Sequence, residues 1–215
     1  MADTDQKHIP NTMDPLHIRN IGSREGQDYF AAKVTGKQQG YYLDIGCADP
    51  LTHNNTVWLH TMGWQGLCLD INPGSIRGVN ERRPHRGVVH DMTQSPLEIF
   101  LGHRVPRWVD YLSFDVDGAT PEAVANFPWD HYQFGAITIE HDSKPDRREA
   151  VEEYLIRRHG YRLFASNVCA VPGFAFEHWL IHPDLQPQIR FRTLGDCPDR
   201  QWWNQLCFDF TPVSK

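Results

Sequence analysis

Short apolar runs alternate with amphipathic segments along most of the chain, and this rhythm predicts alternating strands and helices. Five of the seven apolar runs end at or just before an acidic residue, and several of the amphipathic segments end at or next to glycine. The pattern predicts strands at residues 41–45, 66–71, 87–90, 109–114, 136–139, 161–168 and 174–181. It predicts helices at residues 23–34, 56–62, 73–83, 119–126 and 146–159.

Repeated alternation of strand and helix is typical of a parallel sheet with helices on both faces. The last two predicted strands follow each other closely, so we expect them to pair antiparallel. The predicted fold is therefore α/β, with a Rossmann-like, doubly wound, mostly parallel seven-stranded sheet and an antiparallel last strand pair. Residues 1–22 are polar and are expected to form a flexible N-terminal arm. Residues 23–215 are expected to form a single domain with an aromatic C-terminal extension.

Composition and charge exclude several classes of protein. The chain has 215 residues, of which 40% are hydrophobic, and its 27 acidic and 21 basic residues give a formal charge of −6. This balance argues against a general nucleic-acid coat. The five cysteines include no CxxC pair, which favours reduced thiols over disulfides or a thiolate zinc site. Without a long apolar run or an apolar N-terminal region, we expect no membrane-spanning helix, no secretory signal and a cytoplasmic location.

An acidic residue lies at or just after the end of each of five predicted strands. In open α/β sheets ligands bind beyond the carboxyl ends of the strands. Carboxylates there can accept hydrogen bonds from ribose hydroxyls or an amine, or bind a metal, although capping of the following helices is the alternative. As a series they favour a ligand site. The five residues are Asp44, Asp70, Asp91, Asp115 and Glu140.

The loop after the first strand favours a nucleoside ligand. Gly46 follows that strand directly and permits a tight turn with close backbone approach to a ligand. Asp70 ends the next strand, where nucleotide-binding units place an acid on the ribose. The GxGxxG pattern of a pyrophosphate turn is absent, which disfavours NAD and FAD. Asp91 and Met92 would then contact an adenine, the carboxylate binding its amino group and the thioether packing on its ring.

Six segments together resemble the FkbM type of class I S-adenosylmethionine-dependent methyltransferase. Their order and spacing make the resemblance more specific than any one of them. The segments are SREGQD at 23–28, YLDIGCADP at 42–50, NNT at 54–56, GWQGLCLDINP at 63–73, VDYLSFDVDG at 109–118 and ITIEHD at 137–142.

The resemblance implies a role for each matching residue around the cofactor. The loop after the first strand would meet the methionine end, and the acids after the second, third and fourth strands would meet the ribose, the adenine and the sulfonium. The residues are Asp44, Gly46 and Cys47 for the methionine end, with Asn55 supporting their loop, Asp70 and Asn72 for the ribose, Asp91 and Met92 for the adenine, and Asp115 for the sulfonium.

Two acidic clusters, at 115–117 and 140–142, are candidates for the transfer chemistry. Methyl transfer to a hydroxyl requires an aligned acceptor and removal of its proton. His141 has an ordinary pKa suited to a general base, and Asp117 could act instead with a divalent cation. The candidate catalytic residues are Asp115, Asp117, Glu140 and His141, of which Asp115, Glu140 and His141 would ligate Mg²⁺ or Mn²⁺. The alternative is that the acids orient the acceptor or cap helices, with His141 packed.

The resemblance leads us to expect an O-methyltransferase acting on a hydroxyl of a sugar, glycan or secondary metabolite, with S-adenosylmethionine as cofactor. An RNA ribose 2′-O-methyltransferase is the alternative, because Lys33 or Lys37, Asp115, Lys144 and Glu177 follow the order of a Lys-Asp-Lys-Glu set. The net charge disfavours nucleic acid without excluding it. A catalytically inactive cofactor-binding scaffold is a third reading.

Two further groups favour plainer interpretations. The basic cluster of Arg82, Arg83, His85 and Arg86 is typical of a solvated helix end, with contact to an anionic substrate as the alternative. Trp202 and Trp203 could stack on a sugar or base, but such a pair is more typical of a core edge or a subunit interface. A homodimer therefore remains an open expectation.

Overall fold

The computed structural model describes residues 22–171 and 174–185, together with short strands at 189–190, 195–196 and 211–212. Residues 1–21 and the tryptophans at 202 and 203 lie outside the described residues, so the expectations for the N-terminal arm and the aromatic extension stay predictions. Seven principal strands form the main sheet: β1 (Tyr41–Ile45), β2 (Gln65–Asp70), β3 (Gly87–Val89), β4 (Trp108–Phe114), β5 (Gln133–Glu140), β6 (Arg162–Val171) and β7 (Phe174–Ile181).

The strand order confirms the predicted α/β fold. Three further pairs of residues form β8 (Ile189–Arg190), β9 (Gly195–Asp196) and β10 (Thr211–Pro212). The main sheet has the order β3-β2-β1-β4-β5-β7-β6-β9, in which β9 is a short edge strand, and β8 pairs separately with β10. Strands β1 to β5 are parallel to one another, whereas β7 runs antiparallel to both β5 and β6. The order reverses between β1 and β4, which is where such sheets bind ligands.

The helices agree with the predicted ones in place but differ in extent. The described α-helices are α1 (Gln27–Thr35), α2 (Val57–Thr61), α3 (Pro73–Arg82), α4 (Leu97–Gly102), α5 (Thr120–Asn126) and α6 (Pro145–Val151). Helix α3 begins as predicted, with Pro73 in its first turn and the Asn72 side chain accepting a hydrogen bond from the Gly74 amide at 2.8 Å. Helix α4 was not predicted, and the predicted helix at 146–159 continues beyond α6 as a π-helix over Glu152–Arg158.

The sheet separates two hydrophobic clusters because successive side chains of a strand point to opposite faces. On one face Tyr42 and Cys68 pack with α1, α2 and α3; on the other, Leu43 and Leu69 pack with α4, α5 and α6. Both faces are thus covered, which explains the near-continuous apolar character of the strands.

Cysteine burial agrees with the prediction of reduced thiols where the structure describes the residues. Cys47 and Cys68 are free and buried, and Cys169 is also buried. Among the described residues, no helix combines the length and the apolar character needed to cross a membrane.

Candidate functional site

A cleft of about 370 Å³ opens at the carboxyl ends of β1, β2, β3, β4 and β5. Its volume lies in the range of sites that bind small molecules and cofactors. The sequence-predicted site residues that line it are Gly46, Asp70, Asn72, Asp91, Met92, Asp115, Asp117 and Glu140. It is also lined by Ala48, Ile71, Ser75, His90, Val116 and Ala119, which the sequence had not singled out.

Four predicted site residues do not line this cleft. Asp44 and Cys47 are buried beneath the loop that follows β1, and the Asn55 side chain donates to the Ser113 hydroxyl at 3.0 Å. His141 is fully buried. Direct cofactor or acceptor contact by these four residues therefore has no support from the cleft geometry, and their positions fit supporting roles.

Asp70 is placed to bind a vicinal diol. It lies at the end of β2, and its two oxygens each accept one backbone hydrogen bond, from the Ala48 amide at 2.8 Å and from the Asn72 amide at 2.7 Å. An ionised carboxylate has about four lone-pair sites, so about one per oxygen remains. Because Asp70 lines the cleft, two neighbouring hydroxyls can donate to it.

Gly46 joins the ends of β1, β2 and β4. Its φ is +77°, a conformation that favours glycine, and its amide donates to the Leu69 carbonyl at 2.8 Å. A Cβ at this position would lie 1.6 Å from the carbonyl oxygen of Asp115. The loop after β1 therefore packs directly on the end of β4, backbone to backbone.

Asp44 is held under the loop after β1. Its side chain accepts a hydrogen bond from the Thr56 hydroxyl at 2.5 Å. Burial raises the pKa of Asp44, and the Thr56 hydrogen bond and the charge of Arg83 oppose that shift. The acid thus supports the loop from below.

Arg83 corrects the prediction of a solvated helix end. Its residue is only 1% exposed, because it lies on the same face of α3 and its continuation as the buried Ile76 and Val79. The spacing of these three residues was the available sequence signal. By contrast, the Arg82 side chain is 45% exposed, as predicted.

The far end of the cleft is apolar on one side and acidic on the other. Met92 is buried, whereas Asp91 is exposed and accepts hydrogen bonds from the amide and the hydroxyl of Thr93. These bonds hold the pKa of Asp91 below its ordinary value, so it is ionised at neutral pH. Ile71, which is 66% exposed, lies at the same end. This arrangement suits a flat heterocycle that carries an amino group.

Three carboxyl groups meet at the opposite end. One oxygen each of Asp115, Asp117 and Glu140 lie within 4.8 Å of one another. Burial and the adjoining Asp115 raise the pKa of Glu140 to about 11, and burial also raises that of Asp115. The two carboxyl groups are hydrogen-bonded to each other, and the raised pKa of Glu140 favours its protonated form. The predicted ligand set changes, because Asp117 rather than His141 joins Asp115 and Glu140.

His141 points away from this cluster. Its Nδ1 accepts from the Ser143 amide at 3.2 Å, and its ring centroid lies 4.4 Å from that of His178. Burial lowers the pKa of His141 to about 3, so the ring is neutral near pH 7. Adjacent positions at a strand end face opposite sides, so Glu140 and His141 do not both reach the cleft.

The loops around the cleft contain non-glycine residues in left-handed conformations. Ala48 has φ 44°, Asp117 φ 48°, Asp142 φ 51° and Ser143 φ 56°. Such conformations cost free energy and concentrate at functional sites. They follow β1, β4 and β5, the strands whose ends form the cleft floor.

Glu177, which the sequence analysis named only in the alternative Lys-Asp-Lys-Glu set, is a further buried acid next to this cluster. It faces Glu140 across the β5–β7 pairing and accepts hydrogen bonds from the side chains of Gln27 at 2.9 Å and Trp179 at 2.5 Å. Burial raises its pKa to about 8. A Lys-Asp-Lys-Glu set is not assembled through Lys37, which instead forms a 2.6 Å ion pair with Asp110.

Asp28, beside this acidic region, gives a prediction for the pH dependence of stability. It is fully buried, and burial raises its pKa from 3.8 to about 6. The folded state then binds more protons than the unfolded state between these values, so stability falls as pH rises through this window. Asp28→Asn should flatten that fall and stabilise the protein at neutral pH by up to about 3 kcal/mol.

Urea denaturation at a series of pH values measures this effect. Asp130→Asn, an identical change at an exposed position, should leave the wild-type slope in place. An Asp28→Asn protein with the wild-type slope would show that Asp28 titrates normally.

Comparison with known proteins places the fold. No protein-family model and no curated protein matches the chain. A TehB-like SAM-dependent methyltransferase from Corynebacterium glutamicum superposes with a TM-score of 0.51 at 18% identity, covering 79% of this chain and 99% of that one. The human methyltransferase 10 domain containing protein superposes with a TM-score of 0.52 at 13% identity, covering 73% of this chain and 80% of that one.

The chain has the class I methyltransferase fold. Similarity at these identities concerns the fold, so the narrower FkbM-type resemblance stays a prediction.

Proposed function

We propose that the chain is an S-adenosylmethionine-dependent O-methyltransferase that acts on a hydroxyl of a sugar, glycan or secondary metabolite. The observation that supports this most is a single cleft with a diol-binding acid in its middle and a cluster of acids at one end. Asp70 occupies the first position, and Asp115 with Glu140 the second. The FkbM-type resemblance supports the same assignment.

The residues of the cleft fit this cofactor. Asp70 has free lone pairs for the two ribose hydroxyls, while Met92 and Asp91 offer an apolar surface and an acceptor for the adenine. Gly46 lets the β1 loop lie against the end of β4, and both line the cleft, so that the methionine end can lie over the loop beside Asp115. When bound, the cofactor supplies a methyl group on a sulfonium, which the nearby carboxylates favour electrostatically.

The acids also fit the acceptor chemistry. A hydroxyl is a weak nucleophile until a base takes its proton. One carboxylate of the Asp115–Glu140 pair can accept a hydrogen bond from the acceptor hydroxyl and take its proton, while the oxygen–methyl bond forms and the bond between the methyl group and the sulfonium sulfur breaks. The exposed Asp117 can orient the acceptor at the cleft wall.

The same oxygens fit a hard divalent cation. Asp115, Asp117 and Glu140 would hold Mg²⁺ or Mn²⁺, which prefer carboxylate ligands. Such an ion would lower the pKa of a bound hydroxyl. Asp142, the next acid along the chain, is already paired with Arg147 and is not part of this set.

A methyl-transfer screen tests the activity. Labelled S-adenosylmethionine is incubated with sugars, glycolipids and capped RNA, with and without chelator. Transfer to a hydroxyl supports the proposal, and loss of transfer with chelator supports the cation. Transfer to RNA alone would favour the ribose methyltransferase, and cofactor binding without any transfer would favour the inactive scaffold.

Cofactor binding gives the second prediction. Isothermal titration calorimetry should show that the wild type binds S-adenosylhomocysteine. Asp70→Asn should bind it about 10- to 100-fold more weakly, because a charge-assisted hydrogen-bond acceptor for the ribose is lost.

The matched control is again Asp130→Asn, outside the cleft, which should bind with wild-type affinity. Absence of binding to the wild type would refute the proposed function. Equal affinity of Asp70→Asn and the wild type would refute the ribose contact alone.

A further inference from the structure

Arg83 makes a set of contacts unusual for an arginine just after a helix. Its guanidinium donates to the Asn54 side-chain oxygen at 2.8 Å, to the Thr56 hydroxyl at 2.9 Å and to the Pro50 carbonyl at 3.2 Å. Arginine is rarely buried unless its charge is compensated. Here Asp44 provides that compensation through Thr56. These three acceptors belong to one segment, residues 50–56, and two longer contacts at 3.4 Å reach the Tyr42 hydroxyl and the Cys68 sulfur on strands β1 and β2.

Asn54 transmits this contact across the loop. Its side-chain nitrogen donates to the Cys47 carbonyl at 2.9 Å and to the Asp49 carbonyl at 3.2 Å. Its side-chain oxygen accepts from Arg83 and from the Thr56 amide at 3.1 Å. One side chain therefore ties both halves of residues 47–56 to the guanidinium.

The loop in turn fixes the diol-binding acid. The Ala48 amide, next to the Cys47 carbonyl that Asn54 holds, donates to Asp70 at 2.8 Å. Helix α3 also packs on the loop directly, since a Cβ on Gly78 would lie 3.1 Å from the Pro50 ring. A continuous series of hydrogen bonds thus runs from Arg83 through Asn54 and the loop backbone to Asp70.

We infer that Arg83 is a positioning residue for cofactor binding, which holds residues 47–56 so that Ala48 orients the carboxylate of Asp70. This inference rests on the proposed function and deepens it, because it assigns cofactor affinity to a residue outside the cleft. Arg83 makes these contacts in the protein without cofactor, so it orders residues 47–56 before the cofactor binds.

Three substitutions separate this role from general stability. Arg83→Gln removes the charge and most donors, and should weaken S-adenosylhomocysteine binding about 10- to 100-fold, since buried acceptors lose their partner. Arg83→Lys keeps the charge but not the planar fork, and should fall between Arg83→Gln and the wild type. Arg82→Gln, the same change at the exposed neighbour, should bind with wild-type affinity.

Two readouts distinguish positioning from a merely structural role. In Arg83→Ala, millimolar guanidinium chloride should restore S-adenosylhomocysteine affinity, whereas sodium chloride at equal ionic strength should not. In the cofactor-free Arg83→Lys and Arg83→Gln proteins, hydrogen exchange should accelerate at the Ala48 and Thr56 amides while the β4 and β5 amides stay protected.

Wild-type affinity in Arg83→Gln, or uniform acceleration of exchange with no rescue, would overturn the inference. If Arg83→Ala and Arg83→Gln do not fold, Arg83→Lys tests the inference by its S-adenosylhomocysteine affinity and by its hydrogen exchange at the Ala48 and Thr56 amides. If the wild type fails to bind S-adenosylhomocysteine, the proposed function fails, and the exchange measurement still shows whether Arg83 orders the loop.

Discussion

Replacing Gly46 with alanine should reduce S-adenosylhomocysteine affinity by more than about 100-fold, the largest effect we expect from any single methyl group. The new Cβ would lie 1.6 Å from the Asp115 carbonyl, a backbone atom that no rotamer change can move. The left-handed conformation of Gly46 adds about 1–2 kcal/mol for a residue with a side chain. Relief requires the β1 loop to move away from β4, which separates the two sides of the cleft.

Gly160→Ala is the matched control for this prediction. Gly160 has a similar φ of +70°, but a Cβ there would meet nothing within 4 Å. It should show the cost of the left-handed conformation in urea denaturation and bind the cofactor normally. Equal binding losses in the two variants would show that backbone conformation, and not the contact with Asp115, explains the effect.

Asp117→Asn should slow methyl transfer about 10²-fold, because the acceptor loses the carboxylate proposed to orient it for transfer. S-adenosylhomocysteine affinity should change little, because Asp117 lies on the wall where the acceptor would bind. His141→Gln should leave the transfer rate within a few-fold of the wild type, because His141 is buried, neutral and outside the cleft.

Initial rates with labelled cofactor and the acceptor found in the screen measure both variants. Circular dichroism checks that each is folded. An inactive His141→Gln together with a fully active Asp117→Asn would reverse the assignment and place the transfer site on the other side of β5.

The central architecture could be predicted because strand ends are strongly marked. Apolar runs that stop at Asp70 and Glu140 define the ends of β2 and β5, and the carboxyl ends of parallel strands share one edge. Grouping these acids at one cleft needed only the strand order. The side on which each acid lies required knowledge of the packing.

Asp44 and Arg83 show why the sequence did not predict which side chains face the cleft and which are buried. Asp44 ends a strand like the other acids, yet it faces the helices on the side of Tyr42 and binds Thr56. A pair formed between two elements far apart in sequence cannot be inferred from local pattern. Burial of Arg83 could have been suspected from its spacing to Val79, but its partners lie in a loop without periodicity.

His141 was misplaced for a simpler reason. Residue type alone made it the best general base, but it follows Glu140 directly, and neighbouring positions at a strand end face opposite sides. Helix α4 escaped prediction because it has six residues, too few for a clear helical period. The π-helix at Glu152–Arg158 keeps the apolar spacing of an α-helix, so the sequence does not distinguish the two.

The reversal of strand order between β1 and β4 divides the cleft into two halves with different proposed roles. Loops after β1, β2 and β3 form the half proposed for the cofactor, and the ends of β4 and β5 with the loop after β4 form the half proposed for the acceptor. Because the halves meet mainly at Gly46 and Asp115, substrate preference can diversify on one side without disturbing the other. Libraries aimed at new acceptors should therefore vary Val116 and Ala119, which line the acceptor half, and leave residues 46–56 untouched.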